Sequence, residues 1–247
     1  MKRAAFHDFF NSSAPIILPV IHVISEIQAA INVDKLIHAG IKGCFLINHD
    51  FDVETFLPII RSIRKDYPDF WIGINFLAVT GFNAFPILAS LKNEGCHIDA
   101  YWGDDARIDE RQTDQAEAEA IAKTRQECGW TGLYFGGTAF KKQRPVDPKD
   151  YDISAMLAAN YMDVVTTSGI ATGNAAEISK ITTFRSALPD TPIALASGIT
   201  SDNALDYKMV DCFMVATGIN IDDDFYNIDS QKLNLLMSQC KKMEGPE

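Results

Sequence analysis

Three stretches in the second half of the chain end an apolar run in hydroxyl residues beside glycine: "VVTTSGIATG" (164–173), "ASGITSDN" (196–203) and "VATGINI" (215–221). Glycine lets backbone N–H groups come close to a bound oxyanion, and a Thr or Ser hydroxyl adds a further donor. One such loop is an ordinary tight turn. Three in succession are the pattern expected of a phosphate-type site, with Thr167 among the hydroxyl donors. Acid, base and nucleophile candidates come earlier. Lys141 closes "GLYFGGTAFKKQRP" (132–145) beside Lys142, where a partly desolvated amine can form a Schiff base, donate a proton or pair with an anion. His22 lies in an otherwise apolar run and reads equally as a satisfied core histidine or a catalytic one. His49 and Asp50 are adjacent and can orient each other or form a solvated turn. Asn75 and one aspartate of Asp99, Asp104 and Asp105 are expected to orient a ligand, with Asp104 the candidate taken forward.

No His/carboxylate set has a recognisable metal-ligand spacing, so no dedicated metal site is expected. A hydrolase using a metal held by His22, His49 and Asp104 is the weakest of the readings. The five cysteines are scattered, odd in number and without a CxxC pair, as suits a reducing cytoplasm. No cofactor is implied. His97 is expected to be structural, with His7 and His38 at the surface.

The elements that must position these residues form one repeated unit: a short apolar run, a polar turn, a helical pattern. The runs are 15–23, 43–49, 70–77, 98–103, 132–137, 162–169, 192–198 and 211–218, each bounded by turn formers. Between them, 53–68, 114–129, 175–189 and 231–243 place apolar residues at three- and four-residue spacing. Gly40, Gly95 and Gly129 stand where C′ glycines belong, and Asp114 and Asn174 where N-caps do. Eight strands alternating with helices in 247 residues predict a single (β/α)8 TIM barrel of the ribulose-phosphate-binding type, spanning 14–247. Residues 1–13 read as a leader that packs across the barrel bottom. In such a barrel the C-terminal strand ends face the site, and here they read as His22, Asn48–His49–Asp50, Asn75, Asp99 with Trp102–Asp104, Lys141 with Lys142, Thr166–Ser168, Ser197 and Thr217.

Composition limits the partners. With 47% hydrophobic and 22% charged residues the chain has material for a sizeable core. A formal net charge of −11 argues against nucleic acid or an anionic membrane, so any anionic ligand must be held by a few local groups. No segment approaches the roughly 20 apolar residues of a membrane span. The expected partner is a small phosphorylated or anionic ligand; the expected setting is the cytoplasm, in a homo-oligomer.

The runs "PVIHV" (19–23), "INFL" (74–77), "FKKQRPV" (140–146), "VVTTSGIATG" (164–173), "ASGITSDNA" (196–204) and "CFMVATGINID" (212–222) resemble the BtpA family, TIM-barrel proteins named for a factor in photosystem I biogenesis. The resemblance covers about 15–222 and is strongest over the last three strands. It implies a phosphate-type site at Gly169, Thr172, Gly173, Ser197, Gly198, Thr217 and Gly218, with Lys141 at the family's strand-5 lysine. The chain departs from the family where "GGTAF" (136–140) lacks the acid before that lysine, where a glutamate–asparagine pair reads Ile47–Asn48, and where "DAYWGD" (99–104) replaces an arginine–valine–asparagine. Two functions follow: an enzyme acting on a small phosphorylated metabolite, or a non-catalytic assembly or regulatory factor that keeps the barrel.

Overall fold

The computed structural model describes residues 1–141 and 143–244. Eight parallel strands close into a barrel in sequence order: β1 (Ile16–Val23), β2 (Gly43–Asn48), β3 (Trp71–Phe76), β4 (Ala100–Gly103), β5 (Leu133–Gly137), β6 (Val164–Thr167), β7 (Ile193–Leu195) and β8 (Cys212–Val215). The helices are α1 (Arg3–Phe10), α2 (Glu26–His38), α3 (Val53–Asp66), α4 (Gly81–Asn93), α5 (Ala116–Cys128), α6 (Tyr151–Ala158), α7 (Ile178–Ala187) and α8 (Ser230–Lys241). The strands are shorter than the apolar runs, most of all β6, β7 and β8, because the runs continue into loop at the barrel's upper rim.

Side chains alternate in and out along each strand. Ile16, Leu18 and Val20 of β1 pack inside the barrel with Phe45 and Ile47 of β2, Trp102 of β4, Phe135 of β5 and Met214 of β8. The residues between them face the helices. Ring centroids of Phe45 lie 5.4 Å from Trp71 and 5.1 Å from Phe135, so aromatic rings fill the waist. α1 closes the bottom of that same core. Phe6 lies 6.1 Å from Phe135 and Phe10 5.4 Å from Trp71, so the leader is a helical plug.

The bottom is also laced by a device that recurs every second strand. Asp99, Asp163 and Asp211 each immediately precede or begin the approach to an even-numbered strand. Each accepts the first or second N–H of the preceding odd strand, from Ile72, Tyr134 and Ile193, at 2.8 Å. Each also takes an arginine from the helix before that odd strand: Arg64 at 2.5 Å, Arg125 at 2.6 Å and Arg185 at 2.5 Å. Arg64 donates onward to the carbonyls of Tyr67, Pro68 and Phe70, and Arg185 at the same offsets to those of Leu188, Pro189 and Thr191. The unit that repeats is therefore a pair of strands with their helices.

This lacing corrects two expectations. Asp99 belongs to the bottom and is no orienter of a ligand at the top. His7 is no surface histidine either: it is half-buried, with Nε2 2.9 Å from Asp211. His97 stands 3.5 Å from Asp99 on the same lower face, and His38 is exposed on α2. Burial alone would raise the Asp211 carboxyl, yet His7, Arg185, Arg3 and the Ile193 N–H together hold it below its ordinary value. Neither expected cap is used: α5 starts after Gln115 and α7 after Glu177, without side-chain caps. No described helix is long and apolar enough to cross a membrane.

Candidate functional site

At the upper rim the inward alternation of β1, β2, β4 and β6 runs one step beyond their apolar residues to a polar one. His22 follows Val20, His49 follows Ile47, Asp104 follows Trp102, and Thr166 follows Val164. A pocket opens there, lined by His22, His49, Trp102, Asp104 and Lys141 on one side. Thr172, Gly173, Ser197, Gly198, Thr217 and Gly218 line the other. Three of the four catalytic candidates thus share one pocket. The fourth, Asn75, is fully buried beneath it and donates from Nδ2 to Asp104 Oδ1 at 3.1 Å.

The loops after β6, β7 and β8 meet at this pocket, and their glycines are dictated first by one another. A Cβ on Gly198, whose φ is +69°, would strike the backbone of Ala175; one on Gly218 would strike the Ile199 carbonyl. Ser197 ties the same loops together, accepting from the Gly169 N–H at 3.3 Å and donating to the Asn174 carbonyl at 3.0 Å. Its φ of +149° is a conformation strongly disfavoured for a residue with a side chain, a strain that concentrates at working sites. Among the described residues, no carbonyl or side chain accepts a hydrogen bond from the N–H of Gly173, Gly198, Thr217 or Gly218. The four residues that carry these donors, from three loops, line one cavity.

Two of the proposed phosphate ligands stand elsewhere. Thr167 is the outward member of its pair, and its hydroxyl donates to the Ala139 carbonyl at 3.2 Å. The inward hydroxyl is that of Thr166, which is fully buried. Gly169 lines a neighbouring cleft with Lys141, Tyr151 and Lys180. Asp105 holds a surface turn, accepting from the Arg107 N–H at 2.8 Å. Asn48 bridges strand ends, donating to the Phe51 carbonyl at 2.7 Å and accepting from the Leu77 N–H at 3.1 Å.

Lys141 is held through its backbone, whose N–H donates to Ser168 Oγ at 2.9 Å; its Nζ lies 5.6 Å from the centre of the Phe140 ring. Lys142 lies outside the described residues. A second lysine, Lys180 on α7, escaped the sequence reading. Its Nζ is buried and donates to the Ala139 carbonyl at 2.5 Å and the Ser168 carbonyl at 2.8 Å. Burial pushes it down from 10.5 to about 8. Ala139 has a left-handed φ of +46°, so Lys180 and Thr167 together pin a strained turn two residues before Lys141. The only sequence signal for Lys180 was a lysine beside Ile181 and Phe184 on a helix face that the barrel buries.

The loop between β8 and α8 covers the ends of β1 and β2. Phe225 stacks on His22 with centroids 3.8 Å apart, and His49 packs edge-on against His22 at 4.8 Å. Asp50 accepts from the Tyr226 hydroxyl at 3.0 Å. Among the described residues, no group of three or more His, Cys, Asp or Glu side chains is placed to hold a metal ion.

No family model matches the chain, and no curated protein matches it in sequence. Solved structures do. The chain is similar to tryptophan synthase subunit alpha from Legionella pneumophila str. Paris, at 12% identity over 98% of this chain and 99% of that one, with a TM-score of 0.67. It is similar to a structure described as native KDPGal, at 11% identity over 92% and 95%, TM-score 0.62. A third is orotidine 5'-monophosphate decarboxylase from Methanocaldococcus jannaschii, at 11% identity over 94% and 98%, TM-score 0.58. At such identities the likeness carries the TIM-barrel fold.

Proposed function

We propose that the chain is an enzyme that binds a small phosphorylated metabolite in the pocket above the barrel, with the phosphate on the loops after β6, β7 and β8. The observation that carries this reading is that four residues lining the cavity, Gly173, Gly198, Thr217 and Gly218, have backbone N–H groups without an acceptor among the described residues. Those of Gly198 and Gly218 belong to half-buried residues and those of Gly173 and Thr217 to exposed ones, and clustered N–H groups beside glycine suit an oxyanion. Lys141 shares the pocket and supplies the local positive charge that a chain of net charge −11 otherwise lacks. Asp104, steadied by Asn75, and His22 supply carboxylate and imidazole for proton transfer to the part of the ligand beyond the phosphate. That set suits an isomerase, an aldolase-type lyase or a transfer of a glycosyl or phosphoribosyl group. The similar structures include a decarboxylase of a nucleoside monophosphate, which agrees with this class.

A thermal-shift and calorimetric survey with inorganic phosphate and a panel of sugar phosphates tests it. Thr217→Asp is the variant of choice, because Thr217 is exposed and a carboxylate there opposes an anion without disturbing packing. A Tm rise in the wild type that Thr217→Asp abolishes supports the reading; no rise with any phosphate contradicts it.

One observation favours a non-catalytic assembly or regulatory factor of the BtpA type. Ile27 and Ile31 sit one turn apart on α2, 74% and 49% exposed, and Ile24 just ahead of them is 46% exposed. An apolar stripe of that kind suits a protein partner or a second copy of the chain. Under this reading Ile27→Lys abolishes a partner or dimer contact, and Lys141→Met changes no activity.

A further inference from the structure

His22 Nδ1 lies 3.2 Å from the backbone carbonyl of Phe225. A carbonyl oxygen can only accept, so the hydrogen in this contact belongs to Nδ1. A histidine side chain in water favours the other tautomer, with its hydrogen on Nε2, so the contact selects against the side chain's own preference. The Phe225 carbonyl is itself held, since Asn220 Nδ2 donates to it at 2.8 Å. The next residue is anchored three times over: its carbonyl accepts from Gln28 Nε2 at 2.7 Å and Asn32 Nδ2 at 3.0 Å, and its hydroxyl donates to Asp50. The Ile228 N–H then donates to Asn32 Oδ1 at 2.9 Å, tying the loop to α2 a second time. The Phe225 ring lies nearly parallel to the imidazole, with an interplanar angle of 22°, which fixes the ring plane as the carbonyl fixes its rotation.

We infer that Phe225 and Asn220 are positioning residues that lock His22 as its Nδ1–H tautomer, making Nε2 the basic nitrogen of the neutral ring, the atom that accepts a proton or hydrogen bond from a hydroxyl of the bound ligand. His22 lines the same cavity as the four unspent N–H groups, so phosphate and hydroxyl are read at two ends of one pocket. The ligand class narrows to a hydroxyl-bearing phosphate monoester, a polyol or sugar phosphate, over a simple alkyl phosphate. This second half rests on the phosphate reading above; the tautomer does not. A protein that fixes a histidine's tautomer through its second nitrogen uses the means by which imidazole bases and metal ligands are oriented.

Two measurements on the full chain separate the two halves. Long-range proton–nitrogen correlation NMR of ring-labelled protein, with the His22 signals assigned by their loss in His22→Gln, reads the tautomer. The expected result is a pyrrole-type Nδ1 and a pyridine-type Nε2, with Phe225→Gly or Asn220→Ala shifting the ring toward the Nε2–H form. An Nε2–H tautomer in the wild type, or an unchanged pattern in both folded variants, overturns the inference. Calorimetry with glycerol 1-phosphate and propyl phosphate reads the ligand half. Glycerol 1-phosphate is expected to bind about tenfold more tightly, the worth of one good hydrogen bond, and Asn220→Ala to erase the difference. Equal binding of the two overturns hydroxyl recognition while the phosphate reading stands; binding of neither overturns the phosphate reading, and the NMR result still decides the tautomer.

Discussion

The two faces of the barrel differ in how they hold their carboxylates and their loop backbone. On the lower face, Asp99, Asp163 and Asp211 each hold an arginine and a backbone N–H, and α1 seals the core with Phe6 and Phe10. On the upper face, Asn75 Oδ1, Trp102 Nε1 and Thr166 Oγ1 are buried with no hydrogen-bond partner among the described residues, against Arg64 Nε and Trp71 Nε1 on the lower face. Ala139 and Ser197 take left-handed backbone there, and four loop N–H groups go without an acceptor. Orphaned buried polar atoms and strained backbone each cost on the order of 1–3 kcal/mol. Such costs persist only where the rest of the structure fixes them, and the lower face does so. The difference places the ion-paired lacing at one end of the barrel and, under the function proposed above, the ligand at the other.

Breaking the lower face is expected to have the largest effect. Asp211→Ala strands Arg185 and the Ile193 N–H, and should lower unfolding free energy by roughly 3–5 kcal/mol in urea titrations. Asp211 also sets an acid limit. Its carboxyl is depressed in the folded state, so its contribution is present above the unfolded value of 3.8 and lost as pH falls through the lower folded value. Phe6→Ala removes a fully buried ring from the plug and should cost about 3 kcal/mol. Either variant, once folded, should still bind phosphate.

Lys180 sharpens the contrast, because it is a buried charge serving the upper face. Its folded value of about 8 lies below its unfolded 10.5, so between those values the unfolded chain binds the extra proton. Its contribution is therefore fullest above 10.5 and lost as pH falls through about 8. Measured by denaturant at pH 7 and pH 10, the wild type should gain on the order of 2 kcal/mol relative to Lys180→Met as pH rises. A flat difference would mean that the two carbonyls offset the burial. The smallest stability effect belongs to the site itself. Thr217→Val should leave unfolding within about 0.5 kcal/mol of wild type while weakening phosphate several-fold. If it destabilises as much as Phe6→Ala, the division between the faces fails.

The barrel was legible in the sequence because eight apolar runs alternate with helical patterns, and Gly40, Gly95 and Gly129 sit at positive φ after their helices as expected. The pocket's composition was largely legible too, since His22, Asp104, Lys141 and the glycines all lie at strand ends. What failed was orientation. Parallel strands buried on both sides read as continuous apolar runs, so "VVTT" gives no parity, and Thr167 was chosen where Thr166 points inward. Asp99 is a different case: as the second residue of the run 98–103 it already stands at the strand's start, and its pairing with Arg64, 35 residues earlier in the chain, agrees. Lys180 and Phe225 reach the site from a helix and a long loop, and no local pattern announces such contacts.

The central claim is that the three loops hold a phosphate, and a crystal structure of the chain soaked in glycerol 1-phosphate tests it most directly. The account predicts phosphate density within hydrogen-bond distance of the N–H groups of Gly173, Gly198, Thr217 and Gly218, with the glycerol hydroxyls directed toward His22. Density confined to other surfaces, with those N–H groups left facing solvent at saturating ligand, would contradict it.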